Sequence, residues 1–227
     1  MTKVYLKHWL FIILPSTLYM AAIILISGII PYTNRKDIAC CAITIPLICF
    51  YYTYKKRNLN KREKVNIKHI VLLVSCFISL ILISGYTFKE KAEILSLIGF
   101  IAIIFAGPVN EEIIFRFATL KNCQNIMKTF PAMLVSSLLF SVGHVDFNDI
   151  AISFLMGIIF SISYITTDSI VLPVVLHSFA NLILSFDFIY NLSFSIYMIS
   201  IIYFIISIIV IIITLNKTQF LSIKRRK

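Results

Sequence analysis

Ile103-Ile104-Phe105-Ala106-Gly107-Pro108-Val109-Asn110-Glu111-Glu112-Ile113-Ile114-Phe115-Arg116-Phe117 sets two adjacent acids and an arginine inside one of the most apolar stretches of the chain. A charge at bilayer depth costs about 2.5 to 3.5 kcal/mol on insertion scales, so acids retained there usually face a bundle interior, find a partner and serve a function. Pro108 has no N–H to donate, and with Gly107 before it the sequence predicts a kink or a restart of the helix just ahead of the acids. Broken helix at membrane depth is tolerated where the freed backbone groups are buried in protein or line a wet cavity. The bland alternative is a lipid-facing kink whose acids snorkel to the interface. It is disfavoured by depth, because Glu111 lies about 15 Å along the helix from Lys121 at 1.5 Å per residue.

Outward from this stretch the chain stays apolar. Over 227 residues, 59% are hydrophobic and 14% charged, with a mean hydropathy of +0.94. That leaves too little polar surface to coat a soluble globule. Apolar runs fall near 9 to 30, 38 to 54, 68 to 87, 94 to 120, 130 to 147, 149 to 166, 169 to 190 and 194 to 215. Most approach the roughly 20 residues that a helix needs to cross the hydrocarbon. The expectation is an all-α polytopic membrane protein, one domain over 1–227 with about eight transmembrane helices and a polar cavity within the membrane. The short turn at Asp146 to Asp149 leaves a count of seven as the alternative. The first run follows Lys3 and Lys7 but is longer than a signal-peptide core and lacks a small-x-small cleavage site, so it reads as the first membrane helix.

The formal charge of +11 does not point to nucleic acid, because the basic residues lie in connecting segments and tails and no base-reading fold or repeat is present. The positive-inside rule accounts for them better. With both termini cytoplasmic, Lys3, Lys7, the cluster Lys55, Lys56, Arg57, Lys61, Arg62, Lys64 and Lys68, then Lys121, Lys128, Lys217 and Lys224 to Lys227 lie inside. Arg35, Lys36, Lys89 and Lys91 lie outside. These basic flanks should favour anionic lipid headgroups. Cys40, Cys41, Cys49, Cys76 and Cys123 are odd in number and contain no Cys-x-x-Cys, so they read as small core residues. The abundance of Ile, Lys and Asn suggests an AT-rich genome and with it a bacterial plasma membrane.

Glu112 and Arg116 are four apart, which stacks acid and base on one helical face in the favourable order. Glu111 then projects about 100° away from that pair. An acid neutralised by a guanidinium makes a poor base, whereas an unpaired one in a low-dielectric pocket is a better one. Glu111 is therefore expected to do the chemistry and Glu112 to be the structural partner of Arg116. His144 closes the fifth run, and His177 and Asn181 share a face of the seventh at i and i+4. A lone histidine in a membrane helix usually only hydrogen-bonds between helices. Here three helices each contribute a group suited to hydrolysis. Depths counted from the proposed cytoplasmic ends are about 15 Å for Glu111, 12 Å for His177 and 21 Å for His144, so His144 fits a shared pocket least well. His8 and His69 sit at basic helix ends and read as interfacial.

At these residues the chain resembles the CPBP family of intramembrane proteases, which includes the CAAX prenyl endopeptidases and bacterial relatives once called abortive-infection proteins. Glu-Glu-x-x-x-Arg is similar to Glu111 to Arg116, Phe-x-x-x-His to Phe140 to His144, and His-x-x-x-Asn/Asp to His177 to Asn181. The resemblance covers roughly 94 to 190 and leaves the first three helices unassigned. Phe117 departs from the small residue often found after the family's arginine. What the resemblance implies is peptide-bond hydrolysis within the membrane: Glu111, helped by His144, deprotonates a water, while His177 and Asn181 stabilise the oxyanion. Donors of that kind are worth about 10² to 10³ in rate each. The same residues, Glu111, His144 and His177, would make a zinc site with water. No His-Glu-x-x-His helix argues for it, and a site without a cofactor is preferred.

The leading expectation is thus an endopeptidase acting on a membrane-associated or lipidated peptide, with pheromone or bacteriocin maturation or self-immunity as the output. Its rival is a noncatalytic immunity or scaffold protein whose motif residues only hold helices together. A small transporter with Glu111 as proton site fits poorly, because no inverted repeat is apparent. Substrate and oligomeric state are not legible in the sequence.

Overall fold

The computed structural model describes residues 2–29, 35–57, 67–87, 96–144, 147–185 and 194–217. All of its regular structure is helical among these residues, in eight helices that coincide with the eight apolar runs. They are α1 (Thr2–Ile29), α2 (Arg35–Arg57), α3 (Ile67–Thr87), α4 (Leu97–Ile126), α5 (Thr129–Ser141), α6 (Phe147–Thr167), α7 (Val171–Leu184) and α8 (Phe194–Lys217). Length and composition suffice to cross a membrane in three of them, over Lys36–Thr53, Leu97–Ile126 and Asp149–Thr167. The basic residues Lys61, Arg62, Lys64, Lys89, Lys91 and 224–227, and Asp146 of the expected turn, lie outside the described residues.

Helix α4 is the centre of the bundle, packed against α1, α2, α5, α6 and α7, while α3 packs on α6, α7 and α8. Apolar side chains that would be misplaced on a soluble protein cover the outside: Leu97, Ile101 and Phe105 of α4, and Ile199, Ile202 and Ile206 of α8 are all exposed. Such a surface suits a lipid environment. Inside, small polar residues let helices approach. Ser137 and Ser161 face each other across α5 and α6 with hydroxyl oxygens 3.5 Å apart, and Gly157 sits directly against Ser137. Close packing of small residues is the usual way membrane helices associate. Between α6 and α7 the chain turns through Asp168, whose φ of 47° is a left-handed conformation that aspartate tolerates better than most residues.

The local chemistry of α4 explains its shape. Ser96 caps its start, accepting a hydrogen bond from Gly99 N at 3.1 Å. From Ala102 to Ala106 the helix widens into a π turn, and Gly107 N–H bonds back to Ala102 O. A Cβ at residue 107 would stand 3.1 Å from that oxygen, so glycine eases the close approach. In the same register the next carbonyl, Ile103 O, would need an N–H from residue 108, which is proline. The helix restarts as a short α segment over Gly107–Glu112, then widens again into a second π turn over Ile113–Leu120. The acids therefore occupy one regular turn between two irregular ones, an arrangement often found at functional sites.

Candidate active site

Glu112 and Arg116 form the ion pair that their spacing predicts, with Arg116 Nε 2.9 Å from Glu112 Oε2 and both side chains at 0% exposure. Complete burial makes further contacts necessary. Arg116 Nη1 donates to Ser136 Oγ at 3.3 Å, and its guanidinium lies over the rings of Phe140 and Phe160 at 4.9 and 5.7 Å. Ser136 in turn donates to Phe115 O at 2.6 Å, serving a carbonyl of the second π turn. The charge is thus clamped between α5 and α6 by a hydroxyl and two aromatic faces.

The other oxygen of Glu112 does something the spacing does not reveal. It lies 3.0 Å from His177 Nδ1. A carboxylate accepts there, so Nδ1 carries the proton and Nε2 is left to face outward. Nε2 stands 3.7 Å from Glu111 Oε2. Glu112 therefore orients a histidine as well as neutralising an arginine. The His177 ring is stacked on Phe160 with centroids 4.9 Å apart and meets the edge of Phe140 at 5.5 Å. Its orientation is fixed on three sides. Glu111 is the most open of these groups, with 30% of its side chain exposed against 8% for His177.

His144 follows the end of α5, which stops at Ser141 rather than running through the histidine. Its backbone N–H bonds to Ser141 O, and its ring meets Phe140 at 5.5 Å. It lies within electrostatic reach of Glu111. Despite the depth that residue counting assigns it, His144 lines one cavity of about 260 Å³ with His177, Asn181, Asp149 and Ser153. Phe140, Met156 and Phe160 form apolar wall. Asn181 donates from Nδ2 to Ile103 O at 2.8 Å, supplying the carbonyl that Pro108 leaves without a backbone donor. One of its two N–H bonds is thereby committed, and the second remains for the cavity. Glu111, His144 and His177 do not form a metal-holding cluster: among the described residues no group of three His, Cys, Asp or Glu side chains is so arranged. The cysteines Cys40, Cys41, Cys49, Cys76 and Cys123 are all free thiols.

Sequence reasoning assigned no role to Phe140, Phe160, Ser136 or Asp149. Phe140 was visible as the first residue of its motif, and it proves to be the ring on which Arg116, His144 and His177 converge. For Phe160, Ser136 and Asp149 the sequence offers no periodic or motif signal.

An all-helical membrane protein in which two adjacent carboxylates of α4, a histidine just beyond α5, and a histidine and an asparagine of α7 come together is the class that fold and site define. Residues 93–183 match the family described as type II CAAX prenyl endopeptidase Rce1-like. A membrane-embedded CAAX protease, MroQ of Staphylococcus aureus (strain USA300), is 39% identical over 88 residues, 36% of this chain and 35% of that protein. The chain thus spans about a third of the length of the curated relative it matches. No solved structure matches. Over this segment, less than half of the chain, the protein is similar to the Rce1-like CAAX prenyl endopeptidases, and the all-helical membrane architecture agrees with that likeness.

Proposed function

We propose that the protein is an intramembrane endopeptidase that hydrolyses a peptide bond in a membrane-associated or lipidated peptide. The observation carrying this reading is the convergence of His144, His177 and Asn181 on one cavity, with Glu111 3.7 Å from His177 Nε2. In this mechanism Glu111, with His144 beside the cavity, takes a proton from water as it attacks the scissile carbonyl. His177 Nε2, which takes up a proton from solvent before the attack and keeps it afterwards, and the remaining N–H of Asn181 donate to the oxygen that gains charge. Glu112 balances the resulting imidazolium through Nδ1. The proton held by Glu111 then passes to the leaving amine. The mechanism is written for these side chains and water alone.

Pheromone or bacteriocin-precursor maturation, or self-immunity, is the physiological output that fits a bacterial plasma membrane with both termini inside. Basic connecting segments would hold anionic lipid, and nucleic acid has no role. The test is to map peptide termini by mass spectrometry in membranes of cells carrying the wild type or Glu111→Gln. New termini in membrane-associated or lipidated peptides are expected with the wild type alone, at equal membrane abundance of the two proteins. Identical termini in both would refute the protease reading and leave a noncatalytic scaffold.

A further inference from the structure

Asn110 precedes the two acids, is wholly buried, and takes no part in the chemistry proposed above. Its side chain turns to α2. Nδ2 donates to Cys40 O at 2.9 Å and lies 3.5 Å from Cys40 Sγ. Tyr19 of α1, also buried, sets its hydroxyl 3.9 Å from the same sulfur. Polar groups of α1, α2 and α4 therefore meet about 100° round the helix from Glu111.

The reason such a contact matters lies in the π turns on either side of Gly107–Glu112. A continuous α ladder locks each residue's direction to that of its neighbours, and a π turn interrupts it. The rotation of this one regular turn is then set by side-chain anchors. Glu112 is held on one side by Arg116 and His177, and Asn110 on the other by α2. Glu111 lies between them. Rotating the segment by about 10° moves a carboxylate held about 6 Å from the helix axis by about 1 Å. A displacement of that size costs up to about 100-fold in rate.

We propose that Asn110 is a positioning residue of this active site, fixing the direction of Glu111 by tying the acid-bearing turn to the Cys40 carbonyl. Helix α2, outside the family-matched segment, thereby becomes part of the catalytic scaffold. The inference rests on the protease reading above. Cys40 O also accepts from Thr44 Oγ1 at 3.0 Å, so removing the Asn110 amide strands no acceptor on α2. The effect belongs to geometry more than to folding.

The test uses the full-length protein in liposomes and, as probe, a quenched fluorescent peptide of about 20 apolar residues. Asn110→Leu keeps the branched shape, with slightly more bulk, and removes the donor. It should lower kcat about 10- to 100-fold with KM within about twofold and an unchanged melting curve. If the leucine variant folds too poorly to assay, Asn110→Ala, which adds no bulk, gives the same readout. Wild-type kcat in the folded variant, or loss only in proportion to folded protein, overturns the proposal. A wild type that cleaves no better than Glu111→Gln overturns the protease reading instead, and this inference with it.

Discussion

Removing the guanidinium of Arg116 while keeping its bulk, as in Arg116→Met, tests the central electrostatic claim. The substitution takes away a 2.9 Å ion pair between two side chains at 0% exposure, the 3.3 Å bond to Ser136 and the stacking on Phe140 and Phe160. It leaves Glu112 buried with only His177 Nδ1 at hydrogen-bond distance on its other oxygen. Breaking a buried pair from one side costs about 3 to 5 kcal/mol, because a charge is left without compensation. That is a large part of a total stability of about 5 to 15 kcal/mol. At about 2 to 4 °C per kcal/mol for a chain of this size, the melting midpoint in detergent should fall by about 6 to 20 °C. Fluorescence-detected size exclusion on heated samples measures it. The double variant Glu112→Gln/Arg116→Met removes both charges and keeps an amide oxygen for His177, so it should recover much of the loss. An unchanged midpoint in Arg116→Met, or a double variant as unstable as the two single losses added, would refute the reasoning.

Other substitutions probe the irregular backbone and the packing around it. Asn181→Leu deprives Ile103 O of its 2.8 Å donor, and a melting midpoint lowered in line with about 1 to 3 kcal/mol should accompany loss of peptide cleavage. Pro108→Ala restores an N–H beneath the first π turn; the turn should relax toward regular helix, and cleavage should fall while thermal stability holds or rises. Gly157→Ala puts a Cβ 3.0 Å from Ser137 Cβ and 3.1 Å from its Cα, which should cost about 1 to 3 kcal/mol by thermal shift. Combining it with Ser137→Gly should return most of that loss. Peptide cleavage by purified protein should survive treatment with zinc chelators; activity that disappears and returns with stoichiometric zinc would overturn the metal-free mechanism.

Helix placement was legible because length and hydropathy act over whole segments: each apolar run became a helix. The Glu112 to Arg116 pair was legible because a helix brings i and i+4 together by its own geometry. Contacts between distant segments were not. His177 reaches Glu112 across 65 residues and Asn181 reaches Ile103 across 78, and only the packing of α7 on α4 creates them. The counted depth of His144 suffered for a related reason. Counting assumed a helix continuing through it, whereas α5 ends at Ser141 and the turn beyond carries the ring to the cavity. Pro108 announced an interrupted helix, but the sequence could not say that a side chain 73 positions later, Asn181, would satisfy the carbonyl left open.

That shared hydrogen bond has a consequence for biogenesis. Helix α4 emerges from the ribosome with an unserved carbonyl at Ile103 and a charged turn that needs His177, yet both partners belong to α7, encoded 78 and 65 residues after the groups they meet. At about 5 to 20 residues per second, synthesis of that interval takes about 4 to 16 s. Lipid offers no substitute donor in the meantime. Helix α4 must therefore wait in a wet or proteinaceous setting at the insertion machinery until α7 arrives, so the chain enters the bilayer as a group of helices more readily than one helix at a time.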